Sequence, residues 1–354
     1  MNQPIKRALA LLLILSLSLP CAALGAGMYS PNEAYEFLVG SVIFQLSAES
    51  QAQMRQAFAA ARGQIAALAL KCLDENEPDW TYETGADGEK RMLYQGKRVA
   101  VISDIDDTLV DGVHYTADIV GANGDYNNAA FARFVLSDGC TALPGAVDFV
   151  NFCVECGVEF FYITNRYDQG YKIGQSDSVS SYEKSVRGGA GLYIGADGKE
   201  IGSTIYQTLG RSFYDITLES MARLGFPIDD RHLIVNDLKL HGESKEQARA
   251  AVRAGCDSYP TGQRGDGNRM GTALTVALEP HHVALLLGDQ MGDFTDAFSA
   301  PELDAVRRAA LTEQYADRWG TEWIVLPNAV YGSAFASALK YGVTKLFKAY
   351  SYVQ

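Results

Sequence analysis

Four aspartates, Asp104, Asp106, Asp107 and Asp111, follow one another within the stretch VAVISDIDDTLVDG at residues 99–112. They come directly after an apolar run that reads as a buried strand. Carboxylates that close repel one another, and burying them without partners costs on the order of several kcal/mol each. A divalent cation, or a reaction that uses carboxylates, would account for them. Mg²⁺ takes hard oxygen ligands and keeps waters. A carboxylate can also attack phosphorus directly and become an aspartyl-phosphate. A second carboxylate two residues on lies on the same side of the strand. There it can protonate a leaving oxygen and later deprotonate water.

Polar groups close three further apolar runs. Thr164, Asn165 and Arg166 end VEFFYITNR, Asn236 and Asp237 end HLIVND, and Asp289 and Asp293 follow VALLLG. In an open parallel sheet the carboxyl ends of the strands converge on one crevice, so these groups can meet in space. Lys245 starts a helical stretch just past the third run, within reach of the same edge. A threonine hydroxyl and a lysine ammonium there can hold the oxygens of a transferring phosphoryl group.

The elements needed to position these residues are legible in the periodicity. Ala-rich residues with helical spacing predict two helices, about 31–46 and 48–72. The Gly- and Glu-rich DENEPDWTYETGADGEKRM is a linker or a hairpin. From RVAVISDID onward, continuous apolar strands alternate with helices, including one opened by Pro144. That alternation predicts an α/β, Rossmann-like parallel sheet with helices on both faces. Two stretches break the rhythm: 170–212, with a hairpin-like LYIGADGKEIG, and the Gly-rich, polar 257–282. They read as inserted loops or a hairpin forming a small cap. The expected organisation is a signal segment at 1–25, a helical segment and linker at 26–98, and a catalytic-type domain at 99–354.

The chain has 354 residues, 47% of them apolar, and a net charge of −13. That composition supports a sizeable core and argues against a nucleic-acid polymer as partner, which calls for clustered Lys and Arg. Lys6 and Arg7 precede the short apolar run ALALLLILSLSLP and then small residues, the pattern of an export signal, with cleavage after Ala23 or Gly25. Cys21 offers a second route, a lipid anchor, although Pro20 stands where a small residue is usual. The protein is therefore expected outside the cytoplasm, periplasmic or secreted, touching a membrane only through such an anchor. Assembly into a homo-oligomer is compatible with the sequence. Cys153 and Cys156 in CVEC read as buried small hydrophobes, since neither a second cysteine pair nor a nearby histidine accompanies them. Of His114, His232, His241, His281 and His282 only the adjacent pair has a supporting spacing, and with its side chains pointing apart the histidines read as solvated loop.

Taken in order, DIDDT, ITNR, SKEQAR and GDQMGDF resemble the four motifs of the haloacid-dehalogenase-like (HAD-like) superfamily. More narrowly, they resemble the bacterial class C acid phosphatases, with QLSAES…QAFAAA, ALPGAVDF and VLPNAVYG as supporting pieces. The resemblance implies an Mg²⁺-dependent phosphomonoesterase. It implies Asp104 as nucleophile, Asp106 as general acid/base, Thr164 with Asn165 on the phosphoryl oxygens, and Lys245 stabilising nucleophile and phosphate. It implies Mg²⁺ held by the Asp104 carboxylate, the Asp106 main-chain carbonyl and Asp289, supported by Asp293. It also implies aromatic side chains around the organic part of a small phosphomonoester, at positions matching Phe131 and Tyr331, with Tyr115 and Phe134 as neighbours. Three positions depart from the family pattern. Asp107 stands for Glu, Phe131 and Phe134 stand for tryptophans, and Arg249 follows Lys245 by four positions instead of three. Two other readings accompany this one: a surface binding or adhesion protein on the same fold, and a phosphotransferase with an alcohol acceptor.

Overall fold

The computed structural model of the chain describes residues 40–86, 88–122, 128–166, 192–194, 200–203, 211–236, 244–266, 269–299, 303 and 305–330. The export signal, Cys21, Asp237, His241 and Tyr331 lie outside the described residues.

Residues 40–45 are helical and lead into α1 (Ala48–Lys71), capped where the Ser47 side chain accepts from the Ser50 N–H. Helix α1 buries Met54, Phe58, Ala61 and Ile65, a spacing that keeps one stripe against the core. The segment after it is a hairpin, β1 (Trp80–Thr84) and β2 (Lys90–Tyr94). Strand β3 (Lys97–Ser103) is followed by β4 (Val110–Asp111), α2 (Val113–Ala122), α3 (Asn128–Leu136) and β5 (Thr141–Ala142), which pairs with β4. Helix α4 (Ala146–Glu155) starts two residues past Pro144, because Gly145 adopts a left-handed φ of 95°. Then come β6 (Glu159–Thr164), the two-stranded β7 (Leu192–Ile194) and β8 (Glu200–Ser203), α5 (Phe213–Arg223), β9 (Leu233–Val235) and α6 (Glu246–Ala254). The order closes with β10 (Cys256–Asp266), β11 (Arg269–Leu278), β12 (His281–Gly288), α7 (Ala305–Gln314) and β13 (Trp323–Val325).

Strand β3 sits at the centre of a seven-stranded sheet. It pairs in parallel with β6 on one side and β12 on the other; β9 lies beyond β6 and β13 beyond β12. The β1–β2 hairpin joins antiparallel at Lys97 and Arg98, end to end with β6. That join needs Gly157: a Cβ there would lie 2.6 Å from the Lys90 carbonyl oxygen. Side chains alternate faces along each strand. Val99, Val101, Phe160, Tyr162, Leu285 and Leu287 pack on the side of α1, α4 and α5. Ala100, Ile102, Phe161, Ile163 and Leu286 pack on the side of α6, with Phe294 and Trp323. The expected sheet with helices on both faces is what the chain forms.

One expectation is made specific and one is corrected. The 257–282 stretch is a long antiparallel hairpin, β10–β11, with bulges that absorb its glycines and proline. His281 and His282 are not in a loop but open β12, the strand beside β3. The alternation of that strand sends His281 to the Glu159 carboxylate (2.8 Å) and His282 onto the rings of Trp80 and Tyr94. CVEC is as expected at Cys153, which is fully buried, while Cys156 is only half-buried; Cys72, Cys140, Cys153, Cys156 and Cys256 are all free thiols.

Candidate active site

The four aspartates after β3 take four different positions. Asp107 adopts a left-handed φ of 54° and uses its carboxylate to accept from Gly112 N at 3.0 Å, while its own N–H donates to the Val110 carbonyl. Gly112 is required in this turn, since a Cβ would fall 2.9 Å from Asp107 Oδ2. Asp111 accepts from Val113 N at 2.9 Å at the start of α2. These two close the loop, which leaves Asp104 and Asp106 at the edge of the sheet.

Asp104 meets Asp289 and Asp293 from the end of β12. One carboxylate oxygen from each lies within 4.8 Å of the others. Lys245 Nζ stands between them, 2.7 Å from Asp104 Oδ1 and 2.7 Å from Asp293 Oδ1, and is almost wholly buried. Asp289 accepts from the Thr108 hydroxyl (3.0 Å), Gln290 Nε2 (2.8 Å) and Asn328 Nδ2 (2.7 Å). Asp293 accepts from Gln290 N, and Arg249 donates to the Asp293 and Gly292 carbonyls from beneath. The approach of Asp293 depends on Gly288, where a Cβ would sit 2.3 Å from Asp293 Cβ.

Burial, followed by repulsion from its neighbouring carboxylates, pushes Asp104 well above the usual carboxylate range despite the Lys245 ammonium. Burial and then Asp293 and Asp107 push Asp289 up to about 7. Burial works against the charge on Lys245, yet Asp104 and Asp293 raise its proton affinity. With all three carboxylates ionised, one ammonium leaves two negative charges to be neutralised. A hard-oxygen donor set with that surplus fits a divalent cation.

The Asp106 carboxylate does not join this cluster. Both of its oxygens accept from Arg166: Oδ1 from Nη2 (2.6 Å) and Nε (3.1 Å), Oδ2 from Nε (2.8 Å). Thr164 is buried at the end of β6, and its hydroxyl accepts from Arg166 N at 3.3 Å. Asn236 Nδ2 donates to Asn165 Oδ1 (3.1 Å) and to the Ser244 carbonyl (2.8 Å), linking the ends of β6 and β9 to the start of α6. The structure thus gathers Asp104, Lys245, Asp289 and Asp293 at one point, with Asp106 beside them on the same sheet edge.

Tyr115 and Phe131 are buried and pack on each other at 5.1 Å. Phe131 also meets Phe134 and Phe213, each at 6.1 Å, and the Arg166 guanidinium lies 5.8 Å from its ring centre. They form one aromatic wall behind Arg166. Sequence reasoning placed Arg166 at the crevice without giving it a role, and gave none to Thr108, Gly112, Gly288, Gln290 or Asn328, although all five lie inside the quoted stretches DIDDTLVDG, GDQMGDF and VLPNAVYG.

Residues 29–177 match the family described as HAD superfamily, subfamily IIIB (acid phosphatase). Two similar solved structures are of the class C acid phosphatase from Bacillus anthracis. The form with tungstate bound is 16% identical, covers 90% of this chain and 92% of that one, and has a TM-score of 0.53. The other is 17% identical, covers 90% and 98%, and has a TM-score of 0.54. At those identities the likeness speaks for the fold. The matched segment runs from the helical N-terminal region through β3 and β6, so it holds Asp104, Asp106 and Thr164 but not Lys245, Asp289 or Asp293. The segment from residue 29 to 177 is thus similar to the acid phosphatases of HAD subfamily IIIB, and the fold that encloses it is like that of the class C acid phosphatases.

Proposed function

We propose that the protein is an exported, Mg²⁺-dependent hydrolase of small organic phosphomonoesters, nucleoside 5′-monophosphates among them, working through a phosphorylated Asp104. The observation that carries this reading is the Lys245-bridged cluster of Asp104, Asp289 and Asp293. Asp104, Asp289 and Asp293 would hold Mg²⁺, with the Asp106 main-chain carbonyl as a further oxygen ligand. When bound, the ion would offset the negative charge that the phosphate adds to the site.

Asp104 attacks phosphorus and the ester P–O bond breaks. Asp106 gives its proton to the departing oxygen, then takes a proton from the water that cleaves the Asp104–phosphorus bond. Lys245 holds Asp104 and stabilises charge on the transferring oxygens, and Thr164 and Asn165 bind those oxygens. The relative from Bacillus anthracis binds tungstate, a tetrahedral oxyanion of phosphate's shape, which supports an oxyanion pocket on this fold. The charged and apolar stretch at residues 6–20 supports export. Outside the inner membrane, removing phosphate from a mononucleotide yields a nucleoside that can be imported.

The test is turnover of a phosphate-ester panel with and without Mg²⁺, comparing wild type with Asp104→Asn. Wild type should require Mg²⁺, and the variant should fall by at least about a thousandfold while keeping its fold. A fully active variant, or metal-independent turnover, sinks the reading. Equal rates on nucleotides and simple esters remove the nucleotide preference alone.

A further inference from the structure

The Arg166–Asp106 pair is built with more geometric control than a surface ion pair needs. Arg166 leaves the end of β6 with a side chain 2% exposed, whereas the Asp106 side chain remains 21% exposed. The guanidinium grips both Asp106 oxygens through Nε and Nη2. Behind it, Nη1 approaches the Thr217 hydroxyl of α5 at 3.4 Å, and the Phe131 ring lies beside it. The Thr217 hydroxyl is itself fixed by donating to the Phe213 carbonyl at 2.7 Å. A planar fork held from the rear fixes a carboxylate's orientation as well as its distance, which a point charge cannot do.

We infer that Arg166 is a positioning residue for the proton-transfer group of the reaction: it fixes the Asp106 carboxylate so that one oxygen is aimed for proton delivery. Oδ1 accepts twice and Oδ2 once, so Oδ2 is the oxygen left with capacity for the transferred proton. The inference rests on the phosphomonoesterase reading. In the first step the Asp104 oxygen bonds to phosphorus, the ester P–O bond breaks, and its electron pair takes the proton from Asp106 Oδ2. In the second, Oδ2 takes a proton from water, whose oxygen bonds to phosphorus as the Asp104–phosphorus bond breaks. A misaimed Asp106 harms the first step only where the leaving oxygen must be protonated.

That condition supplies the test. An alkyl ester such as a nucleoside 5′-monophosphate releases a basic alkoxide that needs the proton. A p-nitrophenyl ester releases a stable phenolate that does not. Both are assayed with Arg166→Lys, which keeps the charge and removes the fork. Since general acid catalysis is worth about 10²–10⁴-fold, kcat/KM, which reports the steps through ester cleavage and not the hydrolysis of phosphorylated Asp104 common to both, should fall at least about tenfold more on the alkyl ester than on the aryl ester. Thr217→Val, which loosens the rear contact without touching Asp106, should show the same bias at smaller size, and it keeps the idea testable if Arg166→Lys does not fold. Equal losses of kcat/KM on both esters overturn the positioning role. Wild-type turnover of the two esters is the control: if wild type hydrolyses neither, the phosphomonoesterase reading fails with it. If wild type hydrolyses both and the variants lose equally, only the role of Arg166 fails.

Discussion

Replacing Lys245 with alanine asks what the ammonium contributes to the fold itself. Its Nζ lies 2.7 Å from both Asp104 and Asp293. At an effective dielectric near 20, each contact is worth roughly 6 kcal/mol of gross attraction. Burying the lysine costs several kcal/mol in the other direction. Deleting one partner of such a buried group typically destabilises by about 3–5 kcal/mol, because the remaining charges lose their counter-ion. For a chain of this size, about 1 kcal/mol moves the melting temperature by roughly 2–4 °C, so Lys245→Ala should melt roughly 10 °C below wild type in EDTA at pH 8. The pH dependence has a definite sign. Asp104 and Asp289 bind protons more tightly folded than unfolded, so the metal-free protein gains stability as pH falls from above 7 toward 4, and the deficit of the variant shrinks over that range. A cation that binds only the folded state adds about 2.7 kcal/mol at one hundred times its dissociation constant. The variant's more negative site should bind Mg²⁺ more tightly, so titrating in Mg²⁺ should narrow the gap. Differential scanning fluorimetry with EDTA or Mg²⁺ at pH 5 and pH 8 reads all four corners. A variant melting within about 2 °C of wild type in EDTA at pH 8, or a gap that Mg²⁺ leaves unchanged, would refute the electrostatic account.

Other consequences are open to equally direct checks. Gly288→Ala drives a methyl into Asp293 and should cost about 1–3 kcal/mol; it should also weaken Mg²⁺ activation, so unchanged activation would show that Asp293 can move aside freely. Asn328→Ala and Thr108→Val each remove a donor to Asp289 and should raise the Mg²⁺ concentration for half-activation by roughly 10–100-fold, the usual range for groups that orient ligands. Burial opposes charge on His232, but Asp229 and Glu159 hold its pKa up to about 9. Its contribution is therefore complete below about 6.5 and lost as pH rises through 9. His232→Gln should flatten thermal stability between pH 7 and 10 by an amount on the order of 1 kcal/mol, and an unchanged slope would count against the cluster.

How much of this was readable beforehand depends on the range of the interaction. The parallel sheet was legible because β3, β6, β9 and β12 are continuous apolar runs that end in polar residues, a pattern each strand carries within itself. The gathering of Asp104, Lys245, Asp289 and Asp293 followed from strand ends sharing one sheet edge. What each of the four neighbouring aspartates does was not legible. Their separation depends on the left-handed turn at Asp107 and on Arg166 arriving from another strand. The β10–β11 hairpin was hidden because its bulges, glycines and proline break the two-residue alternation that announces a strand. His281 looked like loop because its partner, Glu159, lies 122 positions away, and no local pattern announces a side-chain contact that distant. Gly288 and Gly112 are needed for close approaches that only the assembled loops create.

The union of Thr108 and Asp289 across 181 positions of chain has a temporal consequence. Helices and the β1–β2 hairpin can form from local contacts, but β3 and β12 must find each other across about half of the chain before the acidic side chains converge. Long-range pairing of this kind comes late in folding, and a chain that has not achieved it has no preformed cation site. Metal uptake during refolding should therefore lag the appearance of helix, which makes the ion a reporter of the last strand to dock.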